Sequence, residues 1–270
     1  MTFIKRHPLP VYFSAAYIIT WTGILLVAAQ KGFDPRAIEL TDGIFMFLFM
    51  ALGPSLSSLI LTALLDGKRG LRELFSHMGK PWVNAKWYAF LLIVPLTTLL
   101  IFTLLSAWVS KAYAPSGNIG FGIIIGGLAG FLEETGWTGF ALPRLQSKHS
   151  VFASGLILGL LWATWHIMAD FWGNFANFGV YWFPTFIIYW ILPLSAYRIL
   201  MAYVYKHTNS LLLAQLMHMF YTGTLVALSP ATSMTESWLW QIPFAVVLWI
   251  IVAVIFLSGG KNLDIKRPNA

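Results

Sequence analysis

The sequence predicts an all-α polytopic membrane bundle of about eight transmembrane helices, and three observations predict it. Of the 270 residues, 58% are hydrophobic and only 10% are charged, whereas a soluble domain carries about 25% charged residues. The mean hydropathy is +0.73. Lysine and arginine are dense in alternate loops, as they are when positive loops stay on the cytoplasmic side. So few charges cannot build a water-facing surface. The net charge of +7 therefore reports topology and anionic lipid, and nucleic-acid binding is excluded.

A helix needs about 20 mostly apolar residues to cross a bilayer. Apolar runs of that kind fall at 9–29, 43–65, 87–108, 119–143, 150–172, 180–204, 210–229 and 236–258. Lys5, Arg6 and His7 lead into the first run, which lacks a small-residue cleavage site and reads as a retained helix. Between the second and third lies the longest inner connection, Asp66 to Lys86. Leu71, Leu74 and Phe75 share one face there, near Lys68, Arg69 and Arg72. The segment reads equally as a helix lying on the membrane surface or as a solvated loop. The fourth run is the least typical, because it carries Glu133 and Glu134. Its Gly126, Gly127 and Gly130 predict close helix packing. Pro54, Pro95, Pro184 and Pro193 read as tolerated kinks. After the eighth run, the tail from Gly259 is short, basic and expected to be unstructured.

With the N-terminus in the cytoplasm, the inner segments hold 14 lysines and arginines, Arg144, Lys148, Arg198 and Lys206 among them. The outer segments hold only Lys31, Arg36 and Lys111, which completes all 17. A missed or extra span would scramble that asymmetry, so both termini are expected to be cytoplasmic. The 13 Trp, 10 Tyr and 21 Phe read mostly as interfacial anchors and lipid-facing packing. With no cysteine, disulfides, thiolate metal sites and a cysteine nucleophile are excluded. No internal repeat or low-complexity tract divides the chain, and 1–270 reads as one membrane domain.

A charge at the bilayer centre costs about 2.5–3.5 kcal/mol on insertion scales, so the ionisable residues sort by depth. Most acidic residues fall in loops or tails, and Asp170, near the outer end of its span, reads as a snorkelling interface residue. His7, His77, His149 and His207 fall at inner interfaces. Glu133, Glu134, His166 and His218 remain, on three different spans. At ~1.5 Å per residue, Glu133, His166 and His218 lie roughly 16, 24 and 12 Å from the inner face. Helix tilt spans that spread, so the four can meet in one cavity. Such a set suits water activation and amide hydrolysis. It equally suits a two-histidine, one-carboxylate metal site, or a proton or cation relay in a transporter.

The stretch Glu133-Glu134-Thr-Gly-Trp-Thr-Gly-Phe-Ala-Leu-Pro-Arg-Leu-Gln146 resembles the first motif of the CAAX-protease and bacteriocin-processing (Abi) family of intramembrane proteases. Trp162 through His166 is similar to its second motif, and His218 with Thr222 to its third. The stretches Tyr197–Tyr205 and Asn209–Ala214, and Gly53-Pro54 with Asp66-Gly67-Lys68 and Trp87-Tyr88, resemble its bacterial branch. The resemblance covers about 50–225 and implies a protease-like core at about 43–229. It implies peptide-bond hydrolysis in the membrane, with Glu133 activating water and Glu134 holding the site. His166 and His218 would position the water, bind a metal or steady the oxyanion. Thr222 would help there, where the family usually has Asn. A divalent metal such as zinc, if used, would be held by Glu133, His166 and His218. Thr138 stands where the family usually has Arg, and Trp162 where it often has Phe. The substrate implied is a peptide or membrane-protein tail, lipidated or bacteriocin-like, at a bacterial cell membrane. Two other readings stand beside this one: a non-catalytic binding or maturation partner with the same fold, and an ion-coupled transporter.

Overall fold

Lipid offers no water to bond a spanning backbone, so each segment must satisfy its own N–H and C=O groups. In the computed structural model, which describes residues 2–230 and 233–258, the chain does this with helices. The basic tail expected from Gly259 lies outside those residues. In chain order the helices are α1 Thr2–Arg6, α2 Pro8–Gln30, α3 Leu40–Met78, α4 Ile93–Trp108, α5 Ile119–Gly136, α6 Leu142–Gln146, α7 Val151–Trp165, α8 Ile167–Phe178, α9 Trp182–Phe186, α10 Leu192–Thr208, α11 Leu211–Leu228 and α12 Met234–Ser258. Two wider π-helical turns join them, Trp137–Ala141 between α5 and α6 and Ile187–Ile191 between α9 and α10.

The loops gather at two ends. At one, Arg144 pairs with Asp66 at 2.8 Å, and Lys80 Nζ donates to the Thr208 carbonyl at 2.9 Å. At the other, the Phe33 ring meets Trp172, and Tyr113 Oη donates to the Glu236 carbonyl. The chain alternates between these ends, which makes eight traverses. Among the described residues seven stretches are helical, long and apolar enough to cross a membrane, and α7, with 15 residues, is apolar but shorter. The fifth traverse is thus not the single helix expected at 150–172. It is broken at His166, whose ψ of −13° ends α7 and begins α8. Outward faces carry exposed apolar side chains such as Ile18, Leu26, Ile60, Leu100, Ile124 and Val254, as a lipid-facing surface requires. The chain is therefore an integral, multi-pass membrane protein.

The segment 66–86 is partly helix. Gly67, at φ 61°, interrupts α3, and the helix resumes to Met78. Leu74 is buried there, but Phe75 is exposed, so the expected apolar face is only half used.

Glycines set the closest helix contacts. A Cβ at Gly122, Gly126 or Gly130 of α5 would fall 2.4–2.5 Å from backbone carbonyls of Gly223, Met219 and Gln215 on α11. The spacing of four keeps all three on one face. Gly127 is corrected by the structure: it faces open space, and Gly122 takes its place in the contact. Gly126→Leu is expected to cost about 3 kcal/mol of stability because backbone must move, while Gly127→Leu stays within about 0.5 kcal/mol. Thermal unfolding in detergent checks this; equal shifts for the two variants would refute it. Gly155 and Gly159 of α7 likewise admit α10, whose Ile199 and Ser195 Cα atoms lie 2.6 and 2.7 Å from the would-be Cβ positions.

Candidate active site

Glu133 and Glu134 end α5, where adjacent residues on a helix point about 100° apart. The two carboxylates consequently meet different neighbours. Glu134 is fully buried and its oxygens are saturated. Arg198 of α10 donates from both terminal nitrogens, at 2.7 Å to Oε2 and 2.8 Å to Oε1. His218 Nδ1 lies 2.8 Å from Oε1. The Thr138 hydroxyl, one turn on in the π-helical segment, donates to Oε2. Glu133, 3% exposed, accepts a hydrogen bond at Oε2 from Trp162 Nε1 at 3.1 Å and is also met by the Trp137 side chain, and His218 Nε2 lies 4.0 Å from the same Oε2.

Arg198 was expected among the inner-end charges, and the structure corrects that. It is 0% exposed, deep in α10, brought in by the α7–α10 contact beside Gly159. Its planar fork matches the carboxylate of Glu134. The cation missing at Thr138 is thus supplied from another helix.

Both imidazoles have a fixed tautomer. His218 Nδ1 faces a carboxylate and His166 Nδ1 a carbonyl, that of Trp162 at 2.8 Å. Neither acceptor carries a proton to give, so each Nδ1 is the donor. In the neutral ring, Nε2 is then left with its lone pair. That is the donor chemistry of a metal ligand, but the spacing does not follow. Among the described residues no group of three or more His, Cys, Asp or Glu side chains is placed to hold a metal ion. The expected set of Glu133, His166 and His218 is not gathered into such a group.

Trp162 binds the site together. Besides its bond to Glu133, its ring lies under the Arg198 guanidinium at 4.1 Å and meets the His218 ring edge-on at 4.8 Å. Its backbone carbonyl holds His166. Trp162→Phe keeps the ring and drops the N–H, so a loss of stability of about 1 kcal/mol is expected, from one hydrogen bond. Trp162→Ala also opens a cavity and is expected to cost about 3–5 kcal/mol. Unfolding curves of the two variants separate the roles of ring and N–H. A loss as large in Trp162→Phe as in Trp162→Ala contradicts this.

Of the residues predicted from sequence, Glu133, Glu134 and His218 meet directly. His166 joins them through Trp162. Thr222 lies one turn after His218 on α11, half-buried, and takes no part in the hydrogen bonds that join the ionisable groups. Asp170 is a further correction: it does not snorkel. It is 7% exposed, and its carboxylate accepts from Asn174 Nδ2, Trp182 Nε1 and Trp190 Nε1 at 2.7–2.8 Å. Arg198, Trp190 and Asp170 are the participants sequence reasoning missed.

All of these residues fall within one stretch that matches a known family. The family model for type II CAAX prenyl endopeptidase Rce1-like proteins matches residues 115–224. The chain is also similar to CAAX prenyl protease 2 of Methanococcus maripaludis, 28% identical over 140 residues. That alignment covers 50% of this chain and 48% of the relative, so the chain spans about half the length of the curated relative it matches.

Proposed function

We propose that the chain, whose residues 115–224 match the type II CAAX prenyl endopeptidase Rce1-like family model, is an intramembrane endopeptidase in which Glu133 activates the attacking water. The observation that carries this reading is the inequality of the two carboxylates. Glu134 has every acceptor position engaged by Arg198, His218 and Thr138, so it serves as an anchor. Among the described residues Glu133 meets no guanidinium and no hydroxyl; indole N–H groups are its hydrogen-bond partners, and Trp162 orients its Oε2.

The gap of 4.0 Å between Glu133 Oε2 and His218 Nε2 is one that a water can bridge with two bonds of about 2.8 Å. Glu133 takes the proton from that water as the hydroxyl adds to the scissile carbonyl. The same proton is returned to the leaving nitrogen. Glu134 holds the His218 ring by its Nδ1–H, as the carboxylate of a catalytic triad holds its histidine. Nε2 of His218 is thereby directed at the reacting water. We assign His166, fixed by Trp162, and Thr222, one turn beyond His218, to the same reacting site. Thr222 can offer its hydroxyl to the developing oxyanion.

The substrate class we infer is a peptide held at the membrane, such as a lipidated C-terminal segment. The residence we infer is a bacterial cell membrane, with both termini in the cytoplasm. The non-catalytic reading rests on Thr138 and Thr222, and Arg198 supplies the cation that Thr138 lacks. The test is cleavage of quenched peptides, prenylated and unmodified, by the protein in proteoliposomes, run with and without a chelator and beside Glu133→Gln. Cleavage by the native protein alone supports the proposal. Cleavage by neither, or equally by both, makes the non-catalytic partner the better reading.

A further inference from the structure

Asp170 and His166 lie one turn apart on α8, joined by the backbone bond from Asp170 N to the His166 carbonyl at 2.9 Å. Trp190, in the π-helical turn Ile187–Ile191, spans that turn from outside. Its ring stacks on the His166 imidazole with centroids 4.0 Å apart and planes at 22°, and its Nε1–H reaches Asp170 Oδ1 at 2.7 Å. Trp165 meets the imidazole edge-on at 4.9 Å. The Trp162 carbonyl takes its Nδ1–H. His166 is therefore confined on one face by an indole whose own angle is set by a carboxylate. A buried carboxylate is costly unless well bonded, and all three partners of Asp170 are neutral N–H groups. Two of them, Trp182 and Trp190, come from the returning limb of the hairpin. A π-helical turn widens the helix and commonly occurs at functional sites; here it carries Trp190.

We propose that Asp170 is a positioning residue for His166, acting through the indole of Trp190. It touches no reacting atom. The proposal rests on the reading of His166 as part of the reacting site, and it concerns only how that ring is held. An aromatic clamp removes ring rotation that a small displacement of the site would otherwise turn into lost rate.

Three variants test it, with two readouts. Trp190 and Asn174 both bond Oδ1, and Trp182 bonds Oδ2. Asp170→Asn can therefore keep the acceptor for Trp190 while its amide opposes the Trp182 N–H. Asp170→Asn is expected to lower the unfolding temperature yet keep kcat. Trp190→Phe removes one donor from a buried carboxylate and is expected to lower the unfolding temperature as well, and to lower kcat about tenfold or more, with KM within about threefold. Asp170→Ala should lose both, and the double variant Asp170→Ala with Trp190→Phe should show no further loss of kcat, because both act through one bond. The second readout is NMR of the His166 ring in labelled protein: the upfield ring-current shift from the stacked indole should persist in Asp170→Asn and vanish in Asp170→Ala. Additive losses of kcat, or an unchanged His166 resonance in Asp170→Ala, overturn the proposal. If the native protein cleaves nothing, the protease reading fails by itself, and the resonance still decides whether Asp170 sets the ring.

Discussion

Glu133→Gln is expected to lower turnover by about 10³-fold or more, because one side chain both removes and returns the proton, and general acid–base catalysis alone contributes about 10²–10⁴-fold. The substitution is isosteric. The amide oxygen of the variant can still accept the Trp162 N–H that now reaches Oε2, so the packing around Trp162 survives. Removing a buried charge also removes a desolvation cost, and the unfolding temperature should hold or rise. Glu134→Gln is expected to behave oppositely. Its amide N–H₂ would face the donors of Arg198 and the His218 N–H, which now meet a carboxylate at 2.7–2.8 Å. Donors set against donors leave a buried guanidinium underpaired, at a cost of about 3–5 kcal/mol. Cleavage rates and unfolding curves of the two variants, taken side by side, check the division of labour. Glu133→Gln retaining a tenth of native turnover would sink the assignment of the base.

Much of this arrangement was open to sequence reasoning because lipid is a severe constraint. Backbone groups must be paired internally, so apolar length and charge asymmetry set the traverses, and α2 through α12 follow them. Glu133, Glu134, His166 and His218 stood out because ionisable groups are rare at depth. What escaped depends on contacts between distant residues. Arg198 lies only six residues inside the expected end of its span, and its length made an inner-surface position plausible. The signal that could have placed it was charge balance: a buried carboxylate beside Thr138 needs a cation from elsewhere. Asp170 was read as an interface residue because its partners, Asn174, Trp182 and Trp190, lie 4, 12 and 20 residues further on and none is charged. Trp182 and Trp190 were counted with the lipid-facing aromatics and Trp162 only as a motif position, yet each spends its N–H on a buried carboxylate. A residue's hydropathy says that it can be buried, and not which polar atom it will meet. The break of the fifth traverse at His166 likewise has no local sign, as neither Gly nor Pro occupies it.

Arg198→Met is expected to destabilise the protein by about 3–5 kcal/mol, since Glu134 would remain buried without its cation, and to lower turnover at least about a hundredfold as His218 loses its fixed anchor. Arg198→Lys should recover part of the stability, because an ammonium is a point charge and cannot make the two parallel bonds seen at 2.7 and 2.8 Å. Two double variants then separate the reasons for keeping the pair. In Thr138→Arg with Arg198→Ala the cation moves to α5's own continuation, one turn from Glu134, into volume that Arg198 vacates. Recovery of stability and cleavage there would mean that the site needs a cation on Glu134 and is indifferent to which helix carries it. In Glu134→Met with Arg198→Met both charges go. Replacing a buried pair by apolar groups is often neutral or stabilising, so this variant should fold as well as the native protein and yet cleave nothing, because nothing then directs the Nδ1–H of His218. A variant that folds poorly with both charges removed would instead assign the pair to stability. The expected separation of folding from turnover is what identifies Glu134 and Arg198 as the support of the histidine, with Glu133 left alone to handle the proton.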